Sequence, residues 1–340
     1  MMAWLMPRVR NSFLFALVLV LAPPANTQRL NGNARIHLVP RFSAGQVLRY
    51  NIQLRMETTS RATGPIVDPE DVTKIDQSVN MALRLDVLAT PGTAEGPELV
   101  RLRATYEKIA TSSKNDSYNP DADALEEQYQ KLEGRSIEFT LHPDGKITEI
   151  TGLEDVVTDP SRAAAVNQWL RQLTLGASAP RKGIVVGENW SSKQSLDNVP
   201  LTGVVWGTES TYQRDEPCPI AGMNADVSSG AERRVTPAAA PEECAIILTH
   251  SKMHDSRGER DRTPTAYRKK GLRTSGEWKG TGETLTAISL RTGIVMSVTQ
   301  SGTTHMDFTV TASASGNHIH YAEDMRSESL ITLLSETSIP

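Results

Sequence analysis

Leu48-Arg49-Tyr50-Asn51-Ile52-Gln53-Leu54-Arg55-Met56-Glu57 alternates without a break. Successive side chains of an extended chain point to opposite sides, so Leu48, Tyr50, Ile52, Leu54 and Met56 share one face and the polar residues between them share the other. This stretch predicts a strand with one dry and one wet face, the pattern of an antiparallel sheet. The period recurs downstream. Val79, Met81, Leu83, Leu85 and Val87 alternate with Asn80, Arg84 and Asp86, and Val100, Leu102, Ala104 and Tyr106 alternate with Arg101, Arg103, Thr105 and Glu107. Thr63-Gly64-Pro65 and Pro91-Gly92 supply turn residues between them.

Two helices are expected after these strands. Asn119 as cap, Pro120 at the first helical position, Asp121 and Asp123 in the first turn and Gly134 beyond the end frame the first, with Leu125, Tyr129 and Leu132 as its buried stripe. Asp159, Pro160 and Gly176 frame the second, whose apolar face is Val166, Trp169, Leu170 and Leu173. Between them Ile137, Phe139 and Leu141 run into Pro143-Asp144-Gly145, and Ile147 to Ile150 return as a hairpin partner.

Beyond Gly176 a second β-rich region is expected. Strands are placed at 204–212, 245–253, 271–278, 284–290, 294–300, 305–311 and 318–321, with the tail from Glu323 to Leu334 open to either helix or strand. The fold class is α+β and mainly β: long curved antiparallel sheets, half-barrel-like, packed on two helices. The expected division is a leader at 1–25, an N-terminal lobe at 36–176 and a C-terminal lobe at 184–340, the lobes being either separate or one continuous domain.

Arg8 and Arg10 precede an apolar run from Phe13 to Ala22, too short to span a bilayer comfortably and followed by Pro23-Pro24-Ala25. This reads as a secretory signal, with an uncleaved anchor as the alternative, and places the chain in the periplasm or outside the cell. The chain has two cysteines, Cys218 and Cys244, bracketing a Pro-, Gly-, Ala- and Ser-rich stretch. In an exported protein they are expected to form a disulfide, the alternative being two free thiols.

The 340 residues carry a formal net charge of -4 and 5% aromatics, which argues against a general nucleic-acid binder. Catalytic signals are weak. No Gly-x-Ser-x-Gly elbow or phosphate loop is present, and Gly276-x-x-x-Gly280-x-Gly282 surrounds Trp278 in strand context, where close backbone packing is the better reading. His318-x-His320, and His250 with His254, lack a paired carboxylate or cysteine nearby, so no metal and no cofactor is expected. From Lys252 to Arg273 basic residues outnumber acids, and Arg268, Lys269, Lys270 and Arg273 are candidates for meeting anionic lipid or an acidic envelope protein; the plainer reading is a solvated loop.

The layout resembles a family of exported, uncharacterised bacterial proteins with long curved sheets. The residues that carry the likeness are Phe42-Ser43-Ala44-Gly45-Gln46 at the entry to the first strand, Phe139 through Gly152 with its Pro-Asp-Gly turn, and Val186-Gly187-Glu188-Asn189-Trp190. More distantly it looks like periplasmic lipoprotein carriers and lipid-binding half-barrels, which implies an apolar ligand held between sheet and helices. On that expectation the protein is a non-catalytic binding or carrier module, with Tyr50, Leu54, Leu83, Val166, Trp169 and Leu173 as candidate ligand-lining residues. A closed dry core is the plainer reading of the same side chains. An envelope scaffold is the alternative function, and a hydrolase the remotest.

Overall fold

The computed structural model describes residues 35–65, 72–89, 99–115, 126–127, 129–142, 145–152, 170, 180, 182–196, 200–219, 242–255 and 261–338. The alternating stretches all form strands: β1 (Gln46–Thr63), β2 (Val72–Ala89), β3 (Val100–Asn115), β4 (Ser136–Leu141), β5 (Ile147–Thr151), β6 (Asn189–Leu196), β7 (Val204–Pro217), β8 (Glu243–Asp255), β9 (Leu272–Ser289), β10 (Val295–Ala312) and β11 (His318–Ser338). They make one antiparallel sheet of eleven strands in the order β5-β4-β3-β2-β1-β11-β10-β9-β8-β7-β6. Every neighbour is also a neighbour in sequence, except at the β1–β11 seam. There Gln46 pairs with Ser338 and Thr63 with His320, so the first and last described strands join both β-rich regions into one sheet. The sheet is open, with β5 and β6 as its edges.

Register puts the alternating apolar residues on one face. Leu48 lies opposite Leu85, and Leu85 opposite Ala104. Tyr50 lies between Leu83 and Leu333, and Ile52 between Met81 and Ile331. All of these are buried, and with Phe139, Ile137, Leu102 and Val298 they form the main core cluster. Further along the same face Trp278, Met306, Phe308 and Met253 make a second cluster, with Phe308 stacked on Tyr321 at a centroid separation of 5.1 Å. The opposite face carries ion pairs such as Arg103–Glu138 at 2.6 Å and Arg49–Glu107 at 3.0 Å, exposed enough to contribute little each.

The helical expectation needs correction. Among the described residues one short helix is bounded, α1 (Thr265–Lys269), in a stretch read from sequence as loop. Five residues are too few for an apolar period to show. Of the first expected helix, Glu126, Glu127, Tyr129 and Gln130 have helical backbone; of the second only Leu170 is described, helical and fully buried in the main cluster. Gly134 and Arg135, at the end of the former, dock on β3: Gly134 N donates to Tyr106 O at 2.8 Å and Tyr106 N to Arg135 O at 3.0 Å, while Ile109 N donates to Glu133 Oε2 at 3.0 Å. These bonds fall where the β2–β3 register shifts, so that Tyr106 and Ile109 lie on the same face.

The strands in the C-terminal half are also longer than expected. The stretches 271–278 and 284–290 are one strand, β9; 294–300 and 305–311 are one strand, β10; and the undecided tail is β11, paired on both sides. Glycines within β9 do not break it. Gly276 (φ +143°) sits against β10 so closely that a Cβ there would lie 2.2 Å from Asp307 O, the close packing the glycine spacing suggested. The expected disulfide is present between Cys218 and Cys244, with Cα atoms 4.9 Å apart, which fits an oxidising compartment. The leader at 1–25 lies outside the described residues, and no helix among them is long and apolar enough to cross a membrane.

Candidate functional site: the buried face of the sheet

The sequence-predicted lining residues divide into two groups. Tyr50 and Leu83 are direct cross-strand partners and fully buried, and Leu54 is half-buried opposite Val79 on β2 and Ser329 on β11. Val166, Trp169 and Leu173 lie outside the described residues. Tyr50 donates its hydroxyl to Val295 O at 3.2 Å, and burial pushes its phenol well above the ordinary range, so it stays neutral. Over this apolar half Tyr129, Leu132 and Leu170 pack from outside the sheet.

Part-way along β1, β2, β3 and β11 the same face carries a row of polar residues. At one level Ser113 on β3 pairs with Gln77 on β2, Gln77 with Met56 on β1, and Met56 with Ser327 on β11, a row spanning three inter-strand steps or roughly 14 Å. Thr111, two residues from Ser113, faces the same way opposite Val79. Gln77 and Ser327 are 2% and 1% exposed. Gln77 Nε2, Thr111 Oγ1, Ser113 Oγ and Ser327 Oγ are enclosed and have no hydrogen-bond partner. A buried polar atom left unpaired costs on the order of 1–3 kcal/mol, and these four fall in one band across β1, β2, β3 and β11.

Charge is nearly absent from this face. Across positions 48–60 of β1, 75–87 of β2, 102–113 of β3 and 321–333 of β11, the residues sharing it include no Lys or Arg and one acid, Glu323. Glu323 lies opposite Ser60 on β1 and Met306 on β10. Burial first, and the neighbouring Asp324 second, push its carboxyl up to about 7. The folded chain therefore holds this proton to about pH 7, whereas the unfolded chain releases it near 4.5. The stability it contributes is full below about pH 4.5, declines as pH rises through that window, and is gone above about pH 7. Replacing Glu323 with Gln is expected to leave stability unchanged at pH 4 and to raise it by about 3 kcal/mol at pH 8, read from urea unfolding. A pH-independent difference between variant and parent would place the carboxyl in water.

On the opposite face a groove of about 780 Å³ crosses β8, β9, β10, β11 and β1. Its floor holds the Thr281–Thr303 hydroxyl pair at 3.5 Å, flanked by Lys252, Lys279, His305 and Arg326. Much of its charge is answered locally: His305 Nδ1 lies 2.8 Å from Asp324, Lys279 pairs with Glu277 at 2.7 Å and Arg326 with Glu328 at 3.3 Å. The basic stretch behaves similarly. Arg268 and Arg273 both turn to Asp261, at 3.8 Å and 2.6 Å, and Arg262 forks onto Asp255 at 2.6 Å, while Lys269 and Lys270 stay exposed. Among the described residues no group of three His, Cys, Asp or Glu is placed to hold a metal ion.

The sequence reading missed the polar row. Gln77 was legible by extending the β2 alternation one step beyond Val79. Thr111 and Ser113 were not, because the β3 irregularity between Tyr106 and Ile109 shifts their parity. Ser327 and Glu323 depended on knowing that the tail is a strand.

No family model matches the chain, and no match was found among the curated proteins. Among solved structures the chain is distantly similar to lipovitellin. That structure, described as lipid-protein interactions in lipovitellin, is 13% identical with a TM-score of 0.43, over 88% of this chain and 26% of lipovitellin. The chain thus spans about a quarter of that protein's length. The outer membrane protein OprG from Pseudomonas aeruginosa is 6% identical with a TM-score of 0.17, over 89% of this chain and 99% of OprG.

Proposed function

We propose that the protein is an exported, non-catalytic binding or carrier module that holds a lipid-like or apolar molecule against the dry face of its sheet. The observation that supports this most is how that face is covered. The sheet does not close on itself; β5 and β6 end it. Among the described residues, Tyr129, Leu132 and Leu170, side chains that belong to no strand of the sheet, pack on its largest apolar area. This cover lies outside the sheet's own ladder, and Glu133, Gly134 and Arg135 next to it are tied to β3 by the three bonds described above. An apolar molecule that takes the place of part of it exchanges contact for contact, each worth about 25 cal/mol per Å² buried. The envelope-scaffold reading is weaker, since Arg268 and Arg273, half of the basic residues it relies on, are spent on Asp261.

The test is native mass spectrometry of the full chain purified from its own envelope without detergent, followed by titration of solvent-extracted protein with a fluorescent fatty alcohol. A stoichiometric apolar adduct and saturable uptake are expected. A clean apo mass together with no saturable uptake overturns the reading.

A further inference from the structure

Resting on that reading, we infer that the ligand is an amphiphile with an uncharged, oxygen-bearing head, seated on the row Ser113–Gln77–Met56–Ser327 with its tail running along β2 towards Val87. The row stands at the end of the fully buried run on β2. On β2 the residues that share the face run Gln77, Val79, Met81, Leu83, Leu85 and Val87, so one polar position is followed by five apolar ones. From Val79 to Val87 the track is about 27 Å long at 3.4 Å per residue, close to the hydrocarbon thickness of a whole bilayer and ample for one acyl chain.

The head's chemistry follows from what waits for it. Gln77 Nε2 offers N–H donors, and the hydroxyls of Thr111, Ser113 and Ser327 can donate or accept; all four atoms are enclosed and unpartnered. An ester supplies acceptors for the Gln77 amide and the hydroxyls, and a hydroxyl head both accepts from the amide and donates to the hydroxyl oxygens. An anionic head is disfavoured, because no Lys or Arg shares this face across β1, β2, β3 and β11 to balance it. A cationic head finds no partner in the row either: the one acid on this face of those four strands, Glu323, is four residues along β11 from Ser327, roughly 13 Å away, and carries its proton under mildly acidic conditions. Met56, between Gln77 and Ser327, keeps the row's centre apolar and separates the two polar ends, suiting a head with oxygens at both sides of its attachment to the chain.

The experiment measures binding of four probes of one chain length, monooleoylglycerol, oleate, oleylamine and octadecene, by displacement of the fluorescent fatty alcohol. Unsubstituted protein is expected to bind monooleoylglycerol at least about tenfold more tightly than any of the other three. Gln77→Leu and Ser327→Ala are each expected to weaken monooleoylglycerol about tenfold and to leave octadecene unchanged. Ser113→Ala, the least disruptive change in the row, replaces Gln77→Leu should that variant fail to fold. Equal affinity for all four probes, or variants that leave monooleoylglycerol untouched, overturns the head-group assignment while the binding function stands; that is also the result if the row holds only water. Tightest binding of oleate or of oleylamine overturns the uncharged head specifically. Failure of every probe to bind removes the carrier reading itself, and this inference with it.

Discussion

Replacing Gly276 with alanine is expected to cost the fold about 4 kcal/mol, far more than a surface substitution in a strand normally does. Two independent effects act at this position. Its φ of +143° lies in a region that residues with a Cβ rarely adopt, at a strain of roughly 1–3 kcal/mol. The added methyl would also lie 2.2 Å from Asp307 O and 2.5 Å from Phe308 Cα, so β9 and β10 must separate locally, and overpacking of this kind costs roughly 1–3 kcal/mol more. The disturbance reaches Phe308, whose ring is stacked on Tyr321 and packs in the cluster around Trp278. Gly316→Ala is the control, since Gly316 also has positive φ (+71°) but a methyl added there would meet nothing within 4 Å. That variant is expected to lose only about 1 kcal/mol. Urea unfolding of both variants decides the matter, and equal losses would mean that β9 can move away from β10 at little cost.

The second large effect is expected on removing the disulfide. Cys218 and Cys244 are 26 residues apart and close the connection between β7 and β8. The neighbouring ladder already holds these ends together when the chain is folded, with Glu216 opposite Cys244 and Cys218 N donating to Glu242 O at 2.8 Å. The bond therefore acts chiefly by limiting the unfolded chain, and loop-closure entropy for this separation corresponds to about 3.5 kcal/mol. Paired Cys218→Ser and Cys244→Ser substitutions are expected to lower unfolding free energy by about that amount, with the strand content seen by circular dichroism retained. Cys244 is fully buried beside Ile246 and Ala287, so the double variant also places a hydroxyl in an apolar site; Cys218→Ala with Cys244→Ala separates that cost from the loss of the cross-link. If the alanine pair is as stable as the parent under oxidising conditions, the cross-link contributes nothing.

What was legible in the chain was whatever a short window encodes. The alternation from Leu48 to Met56, from Val79 to Val87 and from Val100 to Tyr106 identified strands and assigned the correct residues to the dry face, because side-chain direction along a strand is a local property. Two cysteines and an export-like leader pointed to a disulfide on chemical grounds alone. The glycine spacing around Trp278 pointed to close backbone packing for a similar reason. Local reading was weakest where the period was short or interrupted: five-residue α1, the Gly-containing middle of β9, and the tail that became β11.

Tertiary structure decided the rest. No feature within a window near Gln46 says that its partner is Ser338, yet that seam determines that the two β-rich regions make one sheet and that β5 and β6 are its edges. Nor does local sequence place Gln77, Ser113 and Ser327 in one row, since residues far apart in the chain become neighbours only through the registers of β1 with β2 and β11, and through the β3 irregularity that resets parity beyond Tyr106. Alternation chose which face of each strand is dry; long-range pairing chose which strands share that face, because register is set by the fit of whole strands against one another.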